Sequence, residues 1–178
     1  TSEQVPGDDW LTVNVWTPDP GAAGLPVMVW VHGGAYVLGS ASQPLYHGRA
    51  LATGGDVIVV TVNYRLGALG FLELSTVGDD TRRFATNVGL RDVLAALQWV
   101  RDNIAAFGGD PARVTLFGQS AGGSSVASIA QDPRNAGLLH RAIVQSGSLH
   151  GAPGFPEAET AAAYAEALAK RLDTAVPG

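Results

Sequence analysis

The stretch "RVTLFGQSAGGSSVASIA", Arg113 to Ala130, decides the fold. It begins as a short apolar run, passes through a serine flanked by glycines, and continues in small residues compatible with a helix. Gly118-Gln119-Ser120-Ala121-Gly122 fits the pattern G-x-S-x-G, and its place between a buried strand and a helix is the setting of a nucleophile elbow. The glycines leave room for a strained turn and for close packing of the helix on the strand. A bare G-x-S-x-G in a chain with 23 glycines also suits an ordinary tight turn. The strand–turn–helix position favours the catalytic reading of Ser120.

Working outward, similar apolar runs recur. "LTVNVWTP" (Leu11 to Pro18) alternates and is rich in β-branched and aromatic residues, which predicts a strand. "VMVWV" (Val27 to Val31), "DVIVVTVN" (Asp56 to Asn63), "RVTLF" (Arg113 to Phe117) and "RAIVQSG" (Arg141 to Gly147) are short continuous runs of strands covered on both faces. Between them, Leu90, Val93, Leu94, Leu97, Val100 and Ile104 recur at spacings of three and four, so this segment is an amphipathic helix that Gly108-Gly109 stops. "PEAETAAAYAEALAKRL" (Pro156 to Leu172) carries strong helix formers and a second apolar stripe. Buried strands alternating with helices imply an α/β fold with a mostly parallel sheet covered on both faces.

Acyl transfer through a serine needs donors for the developing oxyanion, each worth about 3–4 kcal/mol. One is the backbone N–H after the serine, here that of Ala121; others come from the loop after an earlier strand. The chain supplies "VWVHGGAY", a buried strand followed by His32-Gly33-Gly34-Ala35-Tyr36, whose small residues let backbone approach a carbonyl closely. A phosphate-binding glycine loop is the competing reading. Neither G-x-x-x-x-G-K-[ST] nor a G-x-G-x-x-G placed after a strand is present.

Composition narrows the function further. Of 178 residues, 46% are hydrophobic and 15% charged, which suits a packed domain. The net charge is −5 and no basic cluster is longer than a pair such as Arg82-Arg83, which argues against nucleic-acid and anionic-membrane partners. There is no cysteine, so disulfides and thiolate chemistry are excluded. No run reaches the roughly 18 apolar residues of a membrane span. "TSEQVPGDDW" has neither region of a signal peptide, yet it fixes no compartment.

Taken together, the motifs resemble the type-B carboxylesterase/cholinesterase family of α/β-hydrolases. "DDWLTVNVWTP", "LPVMVWVHGGAYVLGS", "VIVVTVNYRLGALGFL", "NVGLRDVLAALQWVRDNIAAFGGDPARVTLFGQSAGG" and "LLHRAIVQSGS" stand in that family's order. The resemblance implies a serine ester hydrolase with Ser120 as nucleophile and with Gly34, Ala35 and Ala121 as oxyanion-hole amides. It implies a structural ion pair between Arg65 and Asp92, a supporting serine at Ser146, and no metal or organic cofactor. The substrate expected is a small carboxylic ester. The "GGAY" loop resembles that of relatives taking bulky, even tertiary, alcohol esters. Departures are Gln119 where the family usually has Glu, Trp10 at the position of an early cysteine, and Val93 in place of a glutamine.

The general base is the missing part. Family order is Ser, then Asp/Glu, then His. His140 enters a strand at the end away from the catalytic loops, and His150 comes one strand too early and lacks a downstream acid. His32 suits an orienting role beside the oxyanion loop, and His47 a helix start. Residues 1–178 are therefore expected to be the N-terminal part of an α/β-hydrolase domain, incomplete in this chain. A C-terminal half, in the same or a second polypeptide, would supply the histidine and the acid and cover an otherwise unprotected sheet edge. Alone, the chain is expected to be weak, since loss of triad members costs about four to six powers of ten in rate. Two other classes share these features: a silent cholinesterase-like binding module, and an acyltransferase or thioesterase using the same acyl-enzyme.

Overall fold

Alternate residues of the central strand are completely buried, and the sheet is built around them. The computed structural model describes residues 9–75, 84–149 and 156–171. Strands β1 (Val13–Trp16), β2 (Leu25–Val31), β3 (Ile58–Val62), β4 (Gly109–Gln119) and β5 (Arg141–Gln145) form one sheet in the order β1-β3-β2-β4-β5. Only β1 is antiparallel, to β3; the remaining pairings are parallel. Helices α1 (Arg49–Gly55), α2 (Gly67–Phe71), α3 (Val88–Asn103), α4 (Ala121–Gln131) and α5 (Ala158–Arg171) complete the described structure.

Each face of the sheet has its own cover. On one face Val27, Val29 and Val31 align with Ile58, Val60 and Val62 of β3 and with Val114 and Leu116 of β4. They pack with Val93, Leu97 and Val100 of α3 and Val126 and Ile129 of α4 in one core. The stripe on α3 predicted from spacing is the stripe that is buried, with Leu90 and Leu94 at its margin. On the other face Val59 and Trp16 lie against Gly48, and the Thr61 hydroxyl donates to the Ala41 carbonyl at 3.1 Å. Trp30 packs between Tyr46 and Phe117. Residues 41–55, including α1, thus roof the face opposite α3 and α4.

Several boundaries differ from the sequence reading. β3 starts at Ile58 because Asp56 takes a left-handed conformation (φ 48°) that ends α1. Helix α3 gives way to a 3-10 turn over Ile104–Phe107, and Gly108 at φ 90° ends it. Gly109 belongs to β4 rather than to the stop. The register shifts between Leu25 and Val27, opposite a segment containing Pro111, which has no N–H to give the ladder.

β5 departs most from expectation. It reads as a strand buried on both faces, yet every residue of Arg141–Gln145 is exposed, including Ile143 and Val144. The reason is topological: β5 is the last strand of the described sheet, paired only to β4. His140 secures its start. The His140 N–H donates to the Val114 carbonyl at 2.8 Å, and the His140 Nδ1 accepts from the Val114 N–H at 3.2 Å. An imidazole therefore completes the ladder where β5 begins. His140→Ala leaves the buried Val114 amide unpaired and is expected to lower the unfolding free energy by about 1–3 kcal/mol. His140→Asn, with an acceptor in a similar place, should recover part of that loss, as read by urea denaturation of the two variants.

Candidate functional site

Ser120 ends β4 and caps α4 at φ 54° and ψ −123°, a conformation seldom adopted by a residue with a side chain. Such strain costs on the order of 1–3 kcal/mol and persists only where the surroundings impose it. Here its N–H donates to the Gln145 carbonyl at 2.9 Å, and its carbonyl accepts from the Ser124 N–H at 2.9 Å. Small residues make the turn possible. A Cβ on Gly122 would stand 2.1 Å from the Val31 carbonyl oxygen and 2.6 Å from that of His32. The first turn of α4 therefore lies directly on the end of β2.

That contact delivers the loop after β2 to the serine. A Cβ on Gly33 would fall 2.8 Å from the Gln119 carbonyl oxygen and 3.2 Å from Ser120 Cβ. Gly34 (φ 120°), Ala35 (φ 53°) and Tyr36 (φ 62°) then turn the chain through three consecutive positive-φ residues. The turn is held by the Val37 and Leu38 amides, which donate to the Gly34 carbonyl at 3.0 and 3.1 Å, and by the Gly67 N–H on the Tyr36 carbonyl. The amides of Gly34 and Ala35 donate to nothing among the described residues. Ala121, at the first position of α4, presents its N–H at a helix N-terminus, where the peptide dipoles favour negative charge.

Behind the loop, His32 is buried and its ring stacks on Tyr64 at 4.5 Å between centroids. Its Nδ1 lies 2.8 Å from the Gly33 carbonyl oxygen, which only accepts, so Nδ1 carries the proton. Burial pushes the imidazole pKa below its usual 6.5, so the ring stays neutral. The Tyr64 hydroxyl donates to the His32 carbonyl at 2.7 Å, and burial drives its own pKa up.

Comparison with known proteins places the chain in a family. The model of the carboxylesterase family matches residues 1–176. The chain belongs to the carboxylesterase family. It is 51% identical over 161 residues to the para-nitrobenzyl esterase of Bacillus subtilis (strain 168), covering 90% of this chain and 32% of that protein. It is 46% identical over 165 residues to the phenmedipham hydrolase of Pseudarthrobacter oxydans, covering 93% and 31% respectively. A solved PNB esterase superimposes with a TM-score of 0.83 at 51% identity, over 93% of this chain and 34% of that one. The fold is that of the α/β-hydrolases. The chain spans about a third of the length of these carboxylesterase relatives.

Within this member of the carboxylesterase family the other candidate residues fall in two groups. Near Ser120 stand Gln119, whose Oε1 would lie 3.0 Å from a Cβ on Gly33, and Ser146 (φ 50°), which follows the Gln145 that anchors the turn. Farther off, Arg65 and Asp92 form a two-pronged pair at 2.8 and 2.7 Å, and the same carboxylate accepts from the Arg65 backbone N–H at 3.0 Å. The pair ties α3 to the segment after β3. His47 leans on Trp16 just before α1, and His140 serves the β-ladder; neither is brought to the serine. His150 lies outside the described residues. Val93 is core, and Trp10 is half-exposed. Sequence reasoning missed Tyr64 and the anchoring carbonyl of Gln145, because a backbone acceptor or a tyrosine behind a loop leaves no spacing signature.

Two expectations follow from this packing. Gly122→Ala gains about 1 kcal/mol in helix propensity, but overpacking costs about 1–3 kcal/mol or more, and its Cβ would meet backbone that cannot yield. The variant is expected to unfold at lower urea concentration and to expose tryptophan early. Because the folded pKa of His32 is depressed, the unfolded state binds the extra proton first. Stability is therefore full above about pH 6.5 and is lost as the pH falls through 6.5 toward the folded pKa. His32→Asn should flatten that acid limb in urea midpoints measured from pH 7 to 5.

Proposed function

We propose that this chain carries the nucleophile and oxyanion-binding amides of a serine hydrolase acting on small carboxylic esters through an acyl-enzyme. The observation that carries the reading is Ser120, held in a strained turn with the Gly33–Ala35 loop against it. Family membership and the printed activities of the relatives support the ester as substrate class. The exposed side chains of Val37 and Leu38 at the edge of the loop suit an ester with apolar substituents.

In this reading Ser120 Oγ attacks the ester carbonyl carbon while its proton passes to a base. The negative charge that forms on the carbonyl oxygen is accepted by the N–H groups of Gly34, Ala35 and Ala121. The tetrahedral intermediate collapses with loss of the alcohol, which takes the proton from the base, and leaves Ser120 acylated. Water, deprotonated by the same base, then releases the acid and restores the hydroxyl. Gln119 and Ser146 flank the turn in supporting positions, and the Arg65–Asp92 pair holds the frame behind it. No metal or organic cofactor enters this scheme.

Each described histidine is engaged elsewhere: His32 with Gly33 and Tyr64, His47 with Trp16, His140 with Val114. In this reading the base and its acid are supplied by a C-terminal half, in the same or a second polypeptide, with residues 1–178 as the N-terminal part of the hydrolase domain. Without it, turnover is slow, limited to what the oxyanion site and binding supply, about 10³–10⁴ over water.

The test uses the complete polypeptide and a fluorophosphonate probe read by intact-mass spectrometry, together with hydrolysis of a p-nitrobenzyl ester. One adduct located on Ser120, and a fall of at least about 10⁴-fold in kcat for Ser120→Ala, is the expected result. Labelling at another residue, or unchanged hydrolysis by Ser120→Ala, would overturn the assignment.

A further inference from the structure

We propose that Tyr64 is a positioning residue for the oxyanion site, acting through His32 to aim the Gly34 amide. The inference rests on the reading of Gly34 and Ala35 as oxyanion donors. Its substance is the geometry of two successive peptide planes. In a trans peptide the C=O and the following N–H point in opposite directions, so fixing a carbonyl fixes the amide that follows it. The Gly33 carbonyl is held by His32 Nδ1 at 2.8 Å, and this sets the direction of the Gly34 N–H. The His32 carbonyl is held by the Tyr64 hydroxyl at 2.7 Å, and this sets the peptide plane before it.

Tyr64 acts on His32 twice. Its hydroxyl pins the backbone, and its ring lies on the imidazole at 22° between planes, which limits rotation of the ring that holds Gly33. The remaining space is closed. A Cβ on Gly39 would stand 2.5 Å from His32 Nδ1 and 2.7 Å from the Gly33 oxygen, so that residue has to be glycine for the imidazole to occupy its place. On the far side the His32 carbonyl abuts Gly122 of α4. Tyr64 is itself buried, and its ring meets Phe71 edge-on while Phe71 packs against Tyr36. The tyrosine therefore touches no substrate position. It holds the backbone that does.

The decisive variant is Tyr64→Phe, which keeps the ring stack and removes one hydroxyl, made in the complete polypeptide. Active sites are first counted with a fluorophosphonate, and kcat and KM for a p-nitrobenzyl ester are then expressed per labelled site. Losing an oxyanion donor outright costs about 10²–10³ in kcat, and mis-aiming one is milder. The expected result is a fall of about 10- to 100-fold in kcat per site with KM unchanged. Affinity for a trifluoromethyl ketone, whose adduct places an oxyanion in the same site, should fall by the same factor. Val100→Ala, a cavity in α3 away from the loop, should lower stability but keep kcat per site. Unchanged per-site kcat and ketone affinity in Tyr64→Phe would overturn the inference.

A second pair keeps the test independent of that variant's folding. His32→Asn retains a donor near the position of Nδ1 and His32→Ala does not. Asn should keep at least tenfold more per-site kcat than Ala, and equal losses would again overturn the inference. Failure of the underlying site reading looks different: wild-type protein would hydrolyse no ester and take no label on Ser120, and the inference would fall with it.

Discussion

Where β2, β4 and α4 converge, backbone meets backbone with no space for a side chain between them. A Cβ on Gly118 would lie 2.7 Å from the Gly122 carbonyl and 2.8 Å from that of Val31, and one on Gly147 would lie 2.5 Å from the Gly123 carbonyl carbon. This crowding is the constraint on which the rest depends. Because β2 and β4 are neighbours in the sheet, the loop leaving β2 and the turn leaving β4 arrive at the same point. Only residues without a Cβ let them arrive close enough for Gly33 to border Ser120. The site is a consequence of strand order realised through missing side chains.

Polar groups then lock what the glycines permit. Ser120 is held in its unfavourable conformation from two sides, by Gln145 of β5 and by the first turn of α4. The segment that carries Tyr64 is anchored by the Arg65–Asp92 pair, in which a nearly buried carboxylate accepts three hydrogen bonds. Burying such a charge without its partner is costly, so this pair fixes where α3 lies relative to the end of β3. Tyr64 precedes Arg65 in sequence, and the same anchor that places the helix places the tyrosine. The stabilising frame and the loop behind the serine are therefore one connected unit.

Much of this was legible in the residues. The apolar runs of β2 and β3 and the stripe on α3 announced themselves by periodicity, because burial there is set by a single sheet and a single helix face. Ser120 and the His32–Tyr36 loop were legible because glycine at fixed offsets marks backbone that must approach closely. Other features were not. The antiparallel direction of β1 depends on its partner and not on its own alternation. The exposure of β5 could not be read from "RAIVQSG", since an apolar strand reads alike at the edge and in the middle of a sheet. The role of His140 in completing a ladder is a tertiary coincidence between Val114 and a ring 26 residues away. Tyr64 carried no spacing signature of its own.

The bond from the Ser120 amide to the Gln145 carbonyl has a kinetic side. That acceptor does not exist for the turn until β5 has laid itself along β4, and β4 in turn pairs with β2 from far along the chain. Parallel pairings of this kind close long loops before contacts repay the lost entropy, and they form slowly. Of the two, the β2–β4 pairing spans the longer stretch of sequence, so the approach of the Gly33 loop to Ser120 is the slower part of the geometry to form. A collapsed intermediate with α3 already packed on β2 and β3 would contain every residue of the turn and still lack its shape.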